Sequence, residues 1–254
     1  MVRKGLMKPI HLTLAMAALS AYALAAADQP VTLKPSPALA THVAGFPRIA
    51  APSDAGAQKI NMALDRQDQE VKSAAKQCPH GGWSRDVTVA MRGPRYLSLT
   101  AQDSWDCGGA HPDAGRLVLV YDLATGSPVN WARLLPSAMI NSASLDTAAD
   151  GSRIGVIQSR ALQDFYIKAR TADPKDPLGP DCKDIVQDPE LKFDLWPDAQ
   201  AGGIQIEPEG LPHAVAACGD NVLIPAAALR KMGVQPALVD AIESAHVQGW
   251  FGKP

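Results

Sequence analysis

Apolar positions first fall into a regular pattern at Ala57, Ile60, Leu64, Val71 and Ala74. Their three- and four-residue steps make one narrow stripe of a helix whose remaining surface is charged. Ser53 stands where a helix cap is expected, and Cys78-Pro79-His80-Gly81-Gly82 terminates the pattern. The period then changes to two. Asp86 to Met91 alternates, Arg92-Gly93-Pro94-Arg95 reads as a turn, and Tyr96 to Thr100 alternates again, which predicts an antiparallel hairpin. Leu117 to Leu123 predicts a third strand ending in a turn at Ala124–Ser127, and Val129 to Trp131 the start of a fourth.

Beyond residue 150 the helical period returns. Ile154, Ile157, Ala161, Leu162, Phe165 and Ala169 predict one helix between Ser152 and Arg170, and the proline-rich run Asp173–Pro180 breaks it. Lys192–Trp196, Ile204–Glu207, Ala214–Ala217 and Asn221–Ile224 read as short strands. Pro225 opens a helical stretch, and Pro236 opens a terminal helix with Leu238, Ile242 and Ala245 on one side. Strands and helices come in blocks instead of alternating. That predicts an α+β fold: antiparallel sheets with a long N-terminal helix, a central helix and short C-terminal helices.

The first 27 residues do not belong to that pattern. Arg3, Lys4 and Lys8 precede an apolar run from Ile10 to Ala26, and Ala25-Ala26-Ala27 is a small-residue cleavage site, so 1–27 reads as a signal peptide and export to the periplasm or beyond is expected. No stable membrane span is expected after cleavage. Residues 28–44, with several prolines and little periodicity, read as a flexible lead-in. The rest, 45–250, reads as one α+β domain; if it has two subdomains, they divide at 172–181. Losing three basic residues and no acidic ones with the leader leaves 21 basic against 26 acidic, a net charge of −5. Phosphate binding needs a positive patch, so nucleic acid is not an expected partner.

The four cysteines, Cys78, Cys107, Cys182 and Cys218, contain no Cys-x-x-Cys. In an oxidising compartment an even number favours disulfides, and three pairings are possible. Cys78–Cys107 with Cys182–Cys218 is favoured. The first would tie the helix end to a strand-end loop, and the second would close the C-terminal β region.

A series of landmarks runs through the domain. They are Phe46-Pro47-Arg48-Ile49, Lys59–Leu64, Arg95–Leu99, Gly108-Gly109-Ala110-His111-Pro112 with Tyr121-Asp122-x-x-Thr125-Gly126, Phe193–Pro197, Gly203–Ile206, His213–Cys218 and Val222–Pro225. In that order, over roughly residues 45–230, the chain resembles a bacterial envelope domain family of unknown function. The family includes the outer part of a lysozyme-binding anti-sigma factor and the accessory region of a peptidoglycan deacetylase. The resemblance implies a contact with a cell-wall glycan or with a basic envelope protein such as lysozyme. The chain shows neither the tether expected of the first member nor a second domain long enough for the activity of the second.

Candidate chemistry centres on the loop 103–113. His111 stands near Asp103, Asp106 and Asp113, and a neighbouring carboxylate would raise an imidazole's pKa and set its tautomer. A hydrolase using His111 and a nearby Asp is therefore the alternative function, although no nucleophile elbow or free thiol accompanies it. The simpler role of His111 is to shape the turn. Trp105 adds an amphipathic ring that can stack on a sugar, so Trp105, Asp106, His111 and Asp113 are the candidate ligand contacts. Tryptophan is the commonest aromatic, five against four Tyr and four Phe. No metal site is expected, since His42, His80, His111, His213 and His246 are scattered without His-x-x-x-His. No motif implies a cofactor. Asp194, Asp198, Glu207 and Glu209 are read as solvated surface carboxylates, with nothing in the sequence to select a pair.

Overall fold

The structure, a computed structural model, describes residues 29–78, 82–109, 111–147, 153–173 and 177–252. The leader 1–27 and His80 lie outside the described residues. The fold is α+β, with three antiparallel sheets and five helices among the described residues.

The first half builds one long sheet against one long helix. Helix α1 spans Ala55–Lys76, and its cap is Asp54 instead of Ser53: the Asp54 carboxylate accepts from the Ala57 N–H at 2.8 Å. Strands β1 (Leu33–Lys34) and β2 (Arg48–Ile49) form a small ribbon beside α1. Asn61 of α1 holds this ribbon by bonding both the N–H and the C=O of Ile49, each at 2.9 Å. Residues 29–44 are therefore not a free lead-in. Leu33 and Val43 are buried, and Val43 bridges to Arg85, because apolar side chains in that segment have a sheet face to cover.

The four-stranded sheet runs β3 (Gly82–Arg92), β4 (Tyr96–Asp106), β5 (Asp113–Asp122) and β6 (Ser127–Pro128). One face, with Val89, Leu97, Leu99, Ala101, Leu119 and Tyr121, packs with Ile60 and Leu64 of α1 and with Phe46. The turn after β5 explains its Asp-x-x-Thr-Gly sequence. The Asp122 carboxylate accepts from the Ala124 and Thr125 N–H groups, and Gly126 takes a positive φ of 62° against Gly56, where a Cβ would stand 2.3 Å from the Gly56 carbonyl. The fourth strand is not at the predicted Val129–Trp131 but in the two residues before it, Ser127–Pro128, and Trp131 sits buried in a 3-10 turn.

The second half makes a five-stranded sheet in the order β11-β10-β9-β8-β7, with β7 Ser142–Thr147, β8 Arg153–Gln158, β9 Lys192–Asp198, β10 Gly203–Pro208 and β11 Val222–Pro225. The predicted helix 152–170 divides here. Ile154, Val156 and Ile157 are β-branched and lie in β8; the helix, α2 (Arg160–Thr171), starts at Arg160 because the Ser159 hydroxyl accepts from the Leu162 N–H at 3.1 Å. Helix α3 (Pro180–Val186) follows, and β8 and β9, on either side of 172–181, pair through Val156–Asp194 and Ile157–Phe193. The predicted strand at Ala214–Ala217 is a 3-10 segment, His213–Cys218, whose alanines offer little to a pleated surface and whose Cys218 is bonded to Cys182 of α3.

A second core joins the remaining face of the four-stranded sheet to the five-stranded sheet and its helices. Tyr96, Val118, Val120, Trp131, Ile157, Phe193, Ile204 and Ile224 belong to it, with Leu238 and Ile242 of α5 (Pro236–Gln248) and Leu229 of α4 (Ala226–Met232). No helix among the described residues is long and apolar enough to cross a membrane. Two disulfides, Cys78–Cys107 and Cys182–Cys218, suit an oxidising compartment.

Candidate functional site

The end of the long sheet away from the β3–β4 turn, its free end, lies beside the C-terminus of α1 and carries a polar and aromatic cluster set by strand pairing. Trp83 of β3 lies opposite Trp105 of β4, and Arg85 opposite Asp103. Directly paired residues share a face, so all four side chains stand on the α1 side. The two indoles stack with centroids 5.1 Å apart and planes 20° off parallel, and both are half-buried. The Trp105 ring lies over Gly115 of β5, where a Cβ would come within 3.6 Å of it. The Trp83 indole N–H donates to Asp103 at 2.6 Å, and the other Asp103 oxygen faces Arg85 at 3.4 Å.

Arg85 is wholly buried and lies 4.8 Å over the Phe46 ring. The Phe46 N–H donates to Asp68, and Arg48 holds the same carboxylate at 2.7 Å. The Phe46–Ile49 landmark thus supports the far end of the sheet from beneath. Burial raises the Asp103 carboxyl above the usual aspartate range, against the opposing pull of Arg85 and the Trp83 N–H. The Cys78–Cys107 bridge ties the α1 end to the end of β4, and Gly108 follows with a positive φ of 81° that a side chain would resist.

The predicted contact residues are only partly brought together. Asp113 is the direct partner of Trp105, so those two share a face. Asp106 follows Trp105 along the strand and so lies on the other face; its carboxylate accepts from the Gly108 N–H at 3.3 Å. His111 is exposed in the connecting loop, where Nδ1 meets the Pro112 carbonyl at 3.1 Å. Asp113 accepts from the Ala114 N–H at 2.8 Å. The cluster beside Trp105 is therefore Trp83, Asp103 and Arg85 more than the glycine-rich loop. Arg85 was missed. Its signal was the facing pair of motifs Trp83-x-Arg85 and Asp103-x-Trp105.

A second polar cluster lies between the two sheets, on carboxylates read from sequence as surface. Asp194 of β9 and Glu207 of β10 are direct cross-strand partners. Arg116 of β5 reaches across to pair with Glu207, donates to Asn221 at 3.2 Å and to Gln102 at 3.2 Å, and covers the Trp196 ring at 5.5 Å. Lys192 pairs with Asp146 at 2.9 Å. Asp194 itself is nine-tenths buried, and its Oδ1 has no hydrogen-bond partner. Burial, helped by Glu209, Glu207 and Asp146 and opposed by Arg116, pushes its carboxyl up to about 8. Burial also pushes Glu207 up to about 7 against the Arg116 guanidinium. No signal in the linear sequence separates these two acids from their exposed neighbours.

Two clefts open at the other end of the long sheet. One, of about 450 Å³, lies by Pro94 and the α1 N-terminus, and one of about 710 Å³ lies by Asp122 and Arg133. Their acids are already committed, Asp54 to its helix cap and Asp122 to its turn and to Arg95. No group of three or more His, Cys, Asp or Glu side chains among the described residues is arranged to hold a metal ion.

No family model and no curated protein matches the chain. Solved structures do. A member of the DUF3298 family from Bacteroides fragilis NCTC 9343 is 16% identical with a TM-score of 0.44, over 74% of this chain and 69% of that one. A DUF3298 family protein from Pseudomonas aeruginosa PAO1 is 16% identical with a TM-score of 0.40, over 68% and 69%. The chain is thus similar to members of a domain family of unknown function.

Proposed function

We propose that the protein is an exported envelope domain that binds a cell-wall glycan through the free end of its long sheet. The observation that carries this reading is the stacked, half-buried pair Trp83–Trp105 beside Asp103 and Asp113 on a disulfide-tied strand end. A pyranose ring has an apolar face that stacks on indole and hydroxyls that bond to carboxylates. The pair needs no reorganisation to receive such a ligand, because Trp83 is tethered to Asp103 and Trp105 rests on the β5 backbone. Pre-ordering of that kind lowers the entropic cost of binding.

A second reading, a basic envelope protein such as lysozyme, is favoured by the net charge of −5 without the leader. Binding to such a partner would weaken steeply with salt, whereas sugar stacking would not. Purified peptidoglycan and lysozyme are presented to the oxidised protein at low and high salt, with Trp105→Ala and Trp83→Ala alongside. Salt-resistant retention on peptidoglycan, lost in Trp105→Ala, supports the glycan. Unchanged retention in both tryptophan variants sinks the proposed surface.

A further inference from the structure

We propose that the polar cluster between the two sheets at Asp194 is a binding site for an organic cation, an ammonium or guanidinium group. It is separate from the tryptophan end of the long sheet and does not rest on the glycan reading. The starting observation is an acceptor without a donor: Asp194 Oδ1 has no hydrogen-bond partner although the residue is 9% exposed. A buried, unsatisfied oxygen of that kind is costly, and sites that tolerate one do so where a ligand or proton meets it.

Charge selects the class of ligand. Of the carboxylates around Asp194, Glu207 is matched by Arg116 and Asp146 by Lys192. Asp194 and Glu209 make no ion pair with the described residues. On the neighbouring elements, Asp220 faces Glu207 and is itself paired with Arg170 of α2 at 3.1 Å. Arg116 and Lys192 act on Asp194 and Glu209 only at a distance, each being bonded to another acid, and one added cation with N–H donors would satisfy the ionised Asp194 carboxylate and its open oxygen directly. An anion would be repelled. A neutral hydroxyl would fill the hydrogen bond and leave the charge unmatched. A hard metal ion lacks its ligand set here. The cluster borders solvent, since Arg116, Glu207 and Asp146 each keep a fifth or more of their side-chain surface exposed.

Occupation carries a proton signature. Asp194 holds its proton to about pH 8 because it is buried among acids. A cation needs the carboxylate, so binding at neutral pH must expel that proton, and affinity must rise as pH goes from 6 to 9.

The test uses the oxidised full chain without its leader and follows the Asp194 side-chain carboxyl by carbon NMR through a pH titration. Methylguanidinium and methylammonium are the probes, and tetramethylammonium at equal ionic strength, which has no N–H, is the control. The expected result is a fall of one unit or more in the Asp194 midpoint with either probe and none with the control. Calorimetry in two buffers should show release of up to one proton, absent in Asp194→Asn. A short arginine-containing peptide forms a second arm. Binding at least tenfold tighter than methylguanidinium assigns the cation to a protein side chain, and equal binding assigns it to a free small amine. An Asp194 midpoint that the probes move no more than tetramethylammonium overturns the proposal, whether or not Asp194→Asn folds.

Discussion

The two polar clusters of this molecule treat a buried charge in opposite ways. At the free end of the long sheet, Asp103 has both oxygens engaged, by the Trp83 N–H and by Arg85, and Arg85 has an aromatic ring beneath it. Between the sheets, Asp194 is as well hidden but leaves Oδ1 without a donor, and its guanidinium neighbour is committed to Glu207. The Asp103 carboxylate is placed as structure requires, since a buried carboxylate must be paired and bonded to persist. The second cluster has the marks of a site whose partner is a proton or a ligand. Exposure alone would have ranked them the other way, because the tryptophan end is the more visible surface.

The contrast can be broken most forcefully at Asp103. Asp103→Ala strands the Arg85 charge in the core, and the expected loss is about 3–5 kcal/mol in denaturant unfolding. Replacing both, Arg85→Met with Asp103→Leu, should restore most of it. A double variant as unstable as the single one would show that the pair is not the source. Next comes the bridge above it. Cys78 and Cys107 close a separation of 29 residues, and serine at both should cost about 3–4 kcal/mol through the freed unfolded chain. A change in melting below a few degrees would contradict that.

Asp194 should behave in the reverse sense. Its folded carboxyl titrates near 8, above the unfolded value of about 4. The stability it confers is therefore complete below pH 4 and is lost as pH rises to 8, at up to about 1.4 kcal/mol per pH unit. Glu207 adds the same sign up to about 7. Asp194→Asn carries no proton to lose, so its unfolding free energy should fall less between pH 5 and 8 and exceed the wild type's at pH 8. Parallel pH profiles would remove Asp194 from the comparison.

Two smaller effects sharpen it. Tyr166, which packs on Phe193, donates its hydroxyl towards the Cys218 and Asp220 carbonyls, at 2.9 and 2.8 Å. Tyr166→Phe should cost about 1–2 kcal/mol. His111→Gln, on an exposed loop, should fall within about 0.5 kcal/mol of wild type, as surface changes do. A large loss there would return the loop to a structural role.

Much of the first half was legible because its signals are local. The α1 stripe, the period-two hairpin and the Asp122–Gly126 turn each need only neighbouring residues. The register was not legible. Arg92 pairs with Leu97 across the turn, and continuing that count would put Trp83 opposite Asp106 and Arg85 opposite Ser104. A bulge between Val89 and Met91 shifts the ladder by one, and Trp83 meets Trp105 while Arg85 meets Asp103. A one-residue slip exchanges faces, so the whole cluster depends on that bulge. The 152–170 segment failed for a related reason. Ile154 and Ile157 fit a helical stripe as well as a strand, and only the sheet partners of β8 decided between them.

By itself, the sequence determined the fold class, the turn end of the long hairpin and the turn that closes β5, all set by periodicity and backbone chemistry over a few residues; the far end of the hairpin, Gly82–Arg85 with Ala101–Asp106, lies beyond the predicted strands. The tertiary structure alone decided which acids are buried. Asp194 and Glu207 lie on a strand face that reads as solvent-facing until the other sheet brings Arg116 over it. Burial is a property of the partner surface, and no residue carries it in its own name.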